Sequence, residues 1–273
     1  MVSGNIYFCD MKRFLIYFTA LVLILSSCEE EEYFNTSSAF LVVNVYDYDG
    51  NLVAHYDYDE NNRLVRRLFT DPVNNVSSEL VFSYSNNLVS KIEFFDNDNL
   101  QSSYEKKNFY NSKNKIDKIE THQRDQLLST FHVNYNSSGL VESFNTNDNE
   151  PSVLYEYDSH ENIVKRTYYL RDPRTGEQSI QECAFEFDSF NKVSFGLDYL
   201  IGIELLPWRG TTSNWVQSLS KNNITMESCS GHEYFLEYDN NNNPTSITTT
   251  WKDIETEKPM IIRIEYMENK YYR

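Results

Sequence analysis

A few sets of side chains in this 273-residue chain have types and spacings that suggest chemistry. Asp47, Asp49 and Asn51, and then Asp57, Asp59 and Asn61, place oxygen donors at every second residue, the opening rhythm of a calcium loop. An EF-hand also needs Gly at its sixth position and Glu at its twelfth. The second run has Asn62 and Leu68 there, so these residues read as turn chemistry, each Asp holding its own backbone, and no metal site is expected. His55, His122, His132, His160 and His232 are scattered without ligand spacing and read as solvated strand or turn residues. Trp208, Arg209 and Trp215 lie close together in one segment and form a candidate ligand-binding set, because Trp faces stack on sugar rings or cations. Cys183 and Cys229 are candidates for a disulfide if their Cα atoms come within bonding range. The reading favoured here is two separately buried thiols.

No catalytic signature accompanies these sets. The chain has no GxSxG, HExxH, GxGxxG or P-loop sequence. It holds 41 Asp and Glu, so no carboxylate pair stands out as the facing pair a glycosidase needs. No catalytic residue and no cofactor is expected, and the chain does not read as an enzyme. The net charge of −17 argues against nucleic acid, whose phosphates require clustered Lys and Arg.

The elements that must position these residues are written as a repeat. An aromatic residue is followed by Asp, Asn or Ser, a polar turn and then an apolar residue: YDYDGNLV at Tyr46–Val53, YDENNRLV at Tyr58–Val65, YSNNLV at Tyr84–Val89, YNSSGLV at Tyr135–Val141 and YDSHENIV at Tyr157–Val164. From Tyr58 the aromatic returns at Tyr84, Tyr110, Tyr135, Tyr157 and Phe187, at intervals of 22 to 30 residues. A fixed period of this size marks a repeat architecture. Each period holds two runs rich in Val, Ile, Tyr, Phe and Thr, separated by loops such as DPVNN and DPRTG, in which Pro cannot continue a central strand. The Tyr-Asp corners are therefore expected at one end of a sheet and the Asp-Pro loops at the other.

The fold class that follows is all-β: an antiparallel meander of repeated hairpins forming a large twisted or curled sheet. Strongly twisted open sheets rarely exceed about ten strands without curling or splitting. Many strands carry apolar residues toward both faces, so both faces are expected to be partly covered. One segment breaks the rhythm, a short irregular or helical insertion near 196–225, with a helix expected over Asn214–Leu219 behind a Thr212 or Ser213 cap. This insertion is expected to plug the open side of the sheet, and ligand contacts are expected on it or on the sheet's inner face.

The Tyr-Asp, polar, Leu-Val pattern resembles the YD repeat of Rhs and teneurin proteins, which implies spiralling β-sheets that form shells. Only NRLV at Asn62–Val65 keeps the Arg that the YD consensus prefers before Leu. The N-terminus carries a second resemblance. Lys12-Arg13 precede the apolar run Phe14–Leu25, too short to span a bilayer, and the exit is Leu25-Ser26-Ser27-Cys28. This is similar to the lipobox of bacterial lipoproteins, which implies cleavage before Cys28 and a diacylglyceryl group on its thiol. Glu29–Glu32 resemble the acidic tract that directs lipoproteins of Bacteroidetes bacteria to the cell surface. The whole chain resembles the uncharacterised YD-like lipoproteins of that group.

The expected organisation is a signal peptide over 1–27, with Met11 the expected true start, a lipidated Cys and acidic tether over 28–39, and one β-hairpin repeat domain over 40–273. The expected role is that of a non-catalytic binding or structural module. It is held at the outer membrane, facing outward, by a lipid anchor, with a glycan or an envelope protein as partner. The alternative is a carbohydrate-binding surface lipoprotein in a nutrient-uptake system.

Overall fold

The computed structural model describes residues 40–71, 76–96, 104–146, 151–171, 174–190, 192–193, 214–251 and 259–268. The expected signal peptide, Cys28, its acidic tract, Pro72 and Pro173, Trp208, Arg209, and Thr212 and Ser213 lie outside them. Within them the chain forms sixteen strands and one short helix. The strands are β1 (Phe40–Tyr46), β2 (Leu52–Tyr58), β3 (Leu64–Asp71), β4 (Val76–Ser85), β5 (Leu88–Asp96), β6 (Tyr104–Tyr110), β7 (Ile116–Gln123) and β8 (Gln126–Tyr135). They continue as β9 (Val141–Asn145), β10 (Pro151–Tyr157), β11 (Ile163–Arg171), β12 (Gln178–Phe187), β13 (Ile224–Glu227), β14 (His232–Tyr238), β15 (Pro244–Trp251) and β16 (Met260–Glu268). The helix α1 (Asn214–Leu219) falls in the insertion.

Every strand pairs antiparallel with its sequence neighbours, and β1 pairs with β16, closing the meander into a barrel. An open, curled sheet was the expectation, and closure corrects it. A sheet this long leaves two unpaired backbone edges, and joining its two ends removes both.

The faces of the barrel are sharply sorted. Inward residues form one continuous core to which every strand contributes, including Val45, Tyr56, Leu64, Phe82, Val89, Ile92, Ile119, Phe144, Tyr155, Ile163, Phe185, Ile247 and Ile262. Barrels of sixteen strands are in general wide enough for an aqueous channel. Here Val45, Leu64, Val89, Ile92 and Ile163 are fully shielded from solvent, so the inward faces pack on one another. Among the described residues the outward face carries the paired Lys, Arg and Glu side chains, with Arg67, Arg166 and Glu227 the charged residues buried inward, where both faces were expected to be partly covered.

The repeat motif has a specific physical content. A β-bulge precedes nearly every repeat aromatic, with register shifts at Asp57/Tyr58, Ser83/Tyr84, Phe109/Tyr110, Asn134/Tyr135, Glu156/Tyr157 and Glu237/Tyr238. The extra residue lies near the start of the next strand: Val65, Ser90, Asp117, Glu142, Val164 and Thr245. The turns between are built alike. In the turn after Tyr157, Asp158 N–H donates to the Asn162 carbonyl at 2.9 Å, and one Asp158 carboxylate oxygen accepts from the His160 and Asn162 N–H groups at 2.8 and 2.9 Å. The fourth turn residue has positive φ: Asn62 57°, Asn114 57°, Gly139 81°, Glu161 66° and Asn242 62°. Asn and Gly tolerate that conformation best, which is why this stretch of each repeat is rich in Asn.

Each repeat tyrosine then reaches one strand back. Its hydroxyl donates to a carbonyl near the start of the preceding strand: Tyr84 to Leu64 at 2.7 Å, Tyr110 to Val89 at 2.8 Å, Tyr135 to Ile116 at 2.8 Å, Tyr157 to Val141 at 2.8 Å and Tyr266 to Pro244 at 2.6 Å. Tyr58 makes the same bond to Val42 at 2.8 Å. Cations of the preceding turn cover some of these rings, Arg63 over Tyr84 at 4.7 Å and Lys115 over Tyr135 at 5.0 Å. Burial raises the phenol pKa of Tyr135 to about 12, and burial also pushes the Tyr58, Tyr157 and Tyr266 hydroxyls up.

Strand direction places the Tyr-Asp turns that follow β2, β6, β8, β10 and β14 on one rim. The Asn86–Asn87 turn joins them there, and both of its residues have positive φ, as in a two-residue hairpin turn. The Arg124–Asp125 turn and the Asp-Pro loops open on the other rim. The exception is the first corner: Tyr46-Asp47 turns between β1 and β2, on the Asp-Pro rim. Tyr46 accordingly makes no rung; its hydroxyl points outward and donates to the Glu265 carboxylate at 3.0 Å.

Two predictions follow from the rungs. Tyr135→Phe removes a donor from a largely buried carbonyl and should cost about 1 kcal/mol in urea denaturation, while Tyr46→Phe should change stability little. Tyr135 has a folded pKa of about 12 against an ordinary value near 10, so the folded state holds that proton more tightly. The stability this gives is fully present below pH 10 and is lost as pH rises toward 12, so the thermal midpoint should hold steady to about pH 10 and then fall.

Candidate functional site

The regularities above fail together at one place, the seam between β12 and β14. The strand between them, β13, pairs with β14 only through Met226 with Glu233 and Glu227 with His232, and with β12 only over Phe185–Phe187. The repeat aromatic here is Phe187, which has no hydroxyl to make a rung. The insertion is spliced into the turn that follows it. Asp188 N–H donates to the Asn223 carbonyl at 3.1 Å, and an Asp188 carboxylate oxygen accepts from the Phe190 and Asn223 N–H groups at 3.1 and 3.2 Å. Asn223 thus fills the slot that Asn162 fills in the turn before it, although the insertion separates it from Asp188.

The end of the insertion docks on its own rim. Helix α1 begins at Asn214, as the sequence suggested, and buries Val216 in the core. Ser220 Oγ accepts from Ile163 N–H at 3.0 Å, and Asn162 Oδ1 accepts from the Lys221 and Asn222 N–H groups at 3.0 and 2.8 Å. Tyr238, the next repeat tyrosine, donates to the Asp188 carboxylate instead of to a strand carbonyl. Burial and that carboxylate both push its hydroxyl pKa up.

Inside the barrel the seam holds charge. Arg166 Nη2 lies 3.4 Å from Glu227 Oε1, with both side chains 1% exposed. The guanidinium stacks over the Tyr168 ring at 4.5 Å and the Phe185 ring at 5.1 Å, and donates to Cys183 Sγ at 3.4 Å. Cys183 and Cys229 form a disulfide, with Cα atoms 5.1 Å apart. Separate thiols were the favoured reading; the fold instead brings the end of β13 against β12. His232 is buried beside Trp251, their ring centroids 5.4 Å apart, and corrects the reading of every histidine as solvated. His55 fits that reading better, bonded to Asp57 on the outward face, whereas the His122 side chain is only 14% exposed and is bonded to Glu120.

Where β13 and β14 part, the seam opens into a groove of about 560 Å³, lined by outward residues and also by the core-side Tyr234 and Leu236. Its lining includes Glu186, Asp188, Phe190, Met226, Glu233, Phe235 and Tyr238. Phe190 and Tyr238 pack with ring centroids 4.4 Å apart, and Phe235 is 57% exposed. Register places Glu186 opposite Met226 and Met226 opposite Glu233, so one thioether lies between two outward carboxylates.

Many outward carboxylates sit against cations: Glu79 with Arg66, Glu93 with Lys91 at 3.0 Å, Glu105 with Lys107 at 2.7 Å, Glu120 with Lys118 at 2.7 Å, and Glu156 and Glu182 with Lys165 at 3.3 and 2.7 Å. Among the described residues Glu186 and Glu233 have no such partner, and neither do Glu142 on β9 and Glu237 on β14; of these four, only Glu186 and Glu233 line the groove.

Of the residues singled out in the sequence, Cys183 and Cys229 meet at this seam, and Trp215 lies on α1. The Asp47 carboxylate is used within its own turn, accepting from Asn51 N–H at 2.8 Å and from Asn51 Nδ2 at 2.9 Å. Ligand contact along the inner face is corrected, because that face is the core. Sequence reasoning missed Glu186, Met226, Glu233 and Phe235. Alternation along HEYFLEY shows that Glu233 and Phe235 share a face, but nothing local says that Glu186 lies two strands away.

Comparison with protein-family models and with characterised proteins finds no match. Among solved structures the chain is similar to a porin-like protein from Bacteroides uniformis, with 11% identity, covering 85% of this chain and 97% of that one, at a TM-score of 0.49. A porin-like protein from Bacteroides vulgatus gives 11% identity, 83% and 99% coverage and a TM-score of 0.38. The Photorhabdus luminescens Tc holotoxin pore gives 10% identity over 76% of this chain and 12% of that chain, at a TM-score of 0.24.

The disulfide carries the seam where strand pairing is thinnest. It closes a loop with a sequence separation of 46. Replacing Cys183 and Cys229 together by Ser should lower stability by about 2–4 kcal/mol in guanidinium denaturation, and reductant should lower the wild-type midpoint without affecting the double variant.

Proposed function

We propose that this protein is a lipid-anchored component of the bacterial envelope, a non-catalytic binding module whose barrel stands in water and whose membrane attachment is the acylated Cys28. The observation that carries the reading is the polarity of the barrel. A barrel that spans a bilayer turns an apolar band about 25 Å tall toward lipid and keeps its interior polar. This one is arranged differently, with Lys91, Glu93, Glu105, Lys107, Lys118, Glu120 and Lys165 outward and a shielded, mainly apolar core inward in which Arg67, Arg166 and Glu227 are the buried charged side chains among the described residues. Placing those outward charges in hydrocarbon would cost several kcal/mol in sum. A membrane association therefore has to come from outside the barrel, and the Leu25–Cys28 sequence supplies it. A disulfide also suits an oxidising compartment better than the cytosol.

The seam groove is the binding surface in this reading, since the inner face is occupied by core side chains. An oligosaccharide ligand is the second reading, favoured by the exposed rings of Phe190 and Phe235. Metabolic labelling with an alkyne fatty acid tests the anchor. The wild-type chain should take up label and partition with membranes, and Cys28→Ala should lose both. A Cys28→Ala protein that still partitions with membranes after a high-salt wash would overturn the proposal.

A further inference from the structure

The geometry points to a ligand class for the groove: a linear aliphatic diammonium ion, of the polyamine kind, laid across β13 with one ammonium at Glu186 and the other at Glu233. This rests on the groove being the binding surface. Each carboxylate faces Met226 from the adjacent strand, so they stand two strand spacings apart, about 10 Å between Cα atoms. Between them the floor is a thioether, a soft apolar surface for a methylene chain. Phe235 stands 57% exposed on the same outward face of β14, two residues from Glu233, and offers a ring face to a cation. The groove of about 560 Å³ is of the size that holds small ligands.

Charge separates this ligand from a neutral one. Lys side chains sit against several outward carboxylates, as at Glu93, Glu105 and Glu120. Glu186 and Glu233 have no cation beside them among the described residues, and, unlike the equally unpaired Glu142 and Glu237, they line the groove. A ligand of two positive ends and an apolar middle matches a site of two negative ends and an apolar middle. A metal ion matches it poorly, because a hard cation takes six or more oxygen ligands and among the described residues no group of three or more His, Cys, Asp or Glu side chains is placed to hold one.

Calorimetric titration of the full lipidated chain in neutral detergent tests this, with cadaverine and spermidine as probes. Both should bind, and butylamine, with one ammonium, should bind about tenfold more weakly. Glu186→Gln and Glu233→Gln should each weaken cadaverine about tenfold, and Phe235→Ala severalfold, with thermal midpoints unchanged. Glu142→Gln, an exposed carboxylate on β9, should leave binding as it was and so separates the site from net charge. Three results would overturn the proposal: Glu142→Gln weakening cadaverine as much as Glu186→Gln does, magnesium displacing cadaverine at equal ionic strength, or neutral oligosaccharides or a lysine-rich peptide binding while cadaverine and spermidine stay silent. None of these touches the labelling of Cys28, so the anchor and the ligand stand or fall separately.

Discussion

The structure depends on a single recurring contact, the bond from a repeat tyrosine's hydroxyl to a backbone carbonyl at the start of the strand before it. The need for it comes from the bulge. An extra residue directly after each accepting residue, Val65, Ser90, Asp117, Glu142 or Thr245, breaks the ladder locally and sharpens the twist. A carbonyl in such a place faces the core, and a buried carbonyl without a partner costs about as much as a lost hydrogen bond. The phenol is long enough to reach back and meet it while its ring fills the core. Bulge, turn and tyrosine are therefore one device, and Leu64, Val89, Ile116, Val141 and Pro244 all receive it.

Repeating the device sets the global shape. Each bulge adds twist of the same hand, and twist that accumulates over sixteen strands brings β1 beside β16. Closure leaves an outward wall on which charged side chains of adjacent strands stand close together. The ion pairs along it contribute little stability individually, but they keep neighbouring carboxylates from repelling one another across adjacent strands. Between Glu186 and Glu233 no cation intervenes: the strand between them is only Ile224–Glu227, and Met226 stands opposite both.

Much of this was legible in the chain and some was not, for physical reasons. Strand placement followed from composition and period: Leu64–Asp71 and Ile163–Arg171 are strands where the sequence required them. The common rim of the Tyr-Asp turns followed from counting two strands per repeat. The Tyr46 corner escaped that count, because YDYDGNLV and YDENNRLV look alike and only the strand between them shows that they sit on opposite rims. Closure escaped it as well, since a period reports what a repeat does to its neighbour and not what the first strand does to the last. The groove was the least legible part. Glu186 and Glu233 have the insertion between them, and their juxtaposition depends on a turn that continues at Asn223 as if the intervening chain were absent.

That last feature accounts for why variation is concentrated here. A Tyr-Asp turn is held by one carboxylate and one backbone pair at its mouth, Asp158 with Asn162 or Asp239 with Asn243. Anything that returns the chain to the mouth with an N–H and a carbonyl in place satisfies it, whatever lies between. At Asp188 the same carboxylate accepts from Phe190, Asn223 and Tyr238. The tyrosine's diversion leaves a rung unmade, and the buried Arg166–Glu227 pair and the disulfide both reach β13 or its end, the strand whose pairing is thin on either side. A buried ion pair is weak evidence for stability by itself. Beside a covalent cross-link it has a different use: it fixes how β11 and β13 meet, and hence where Glu186 and Glu233 face outward.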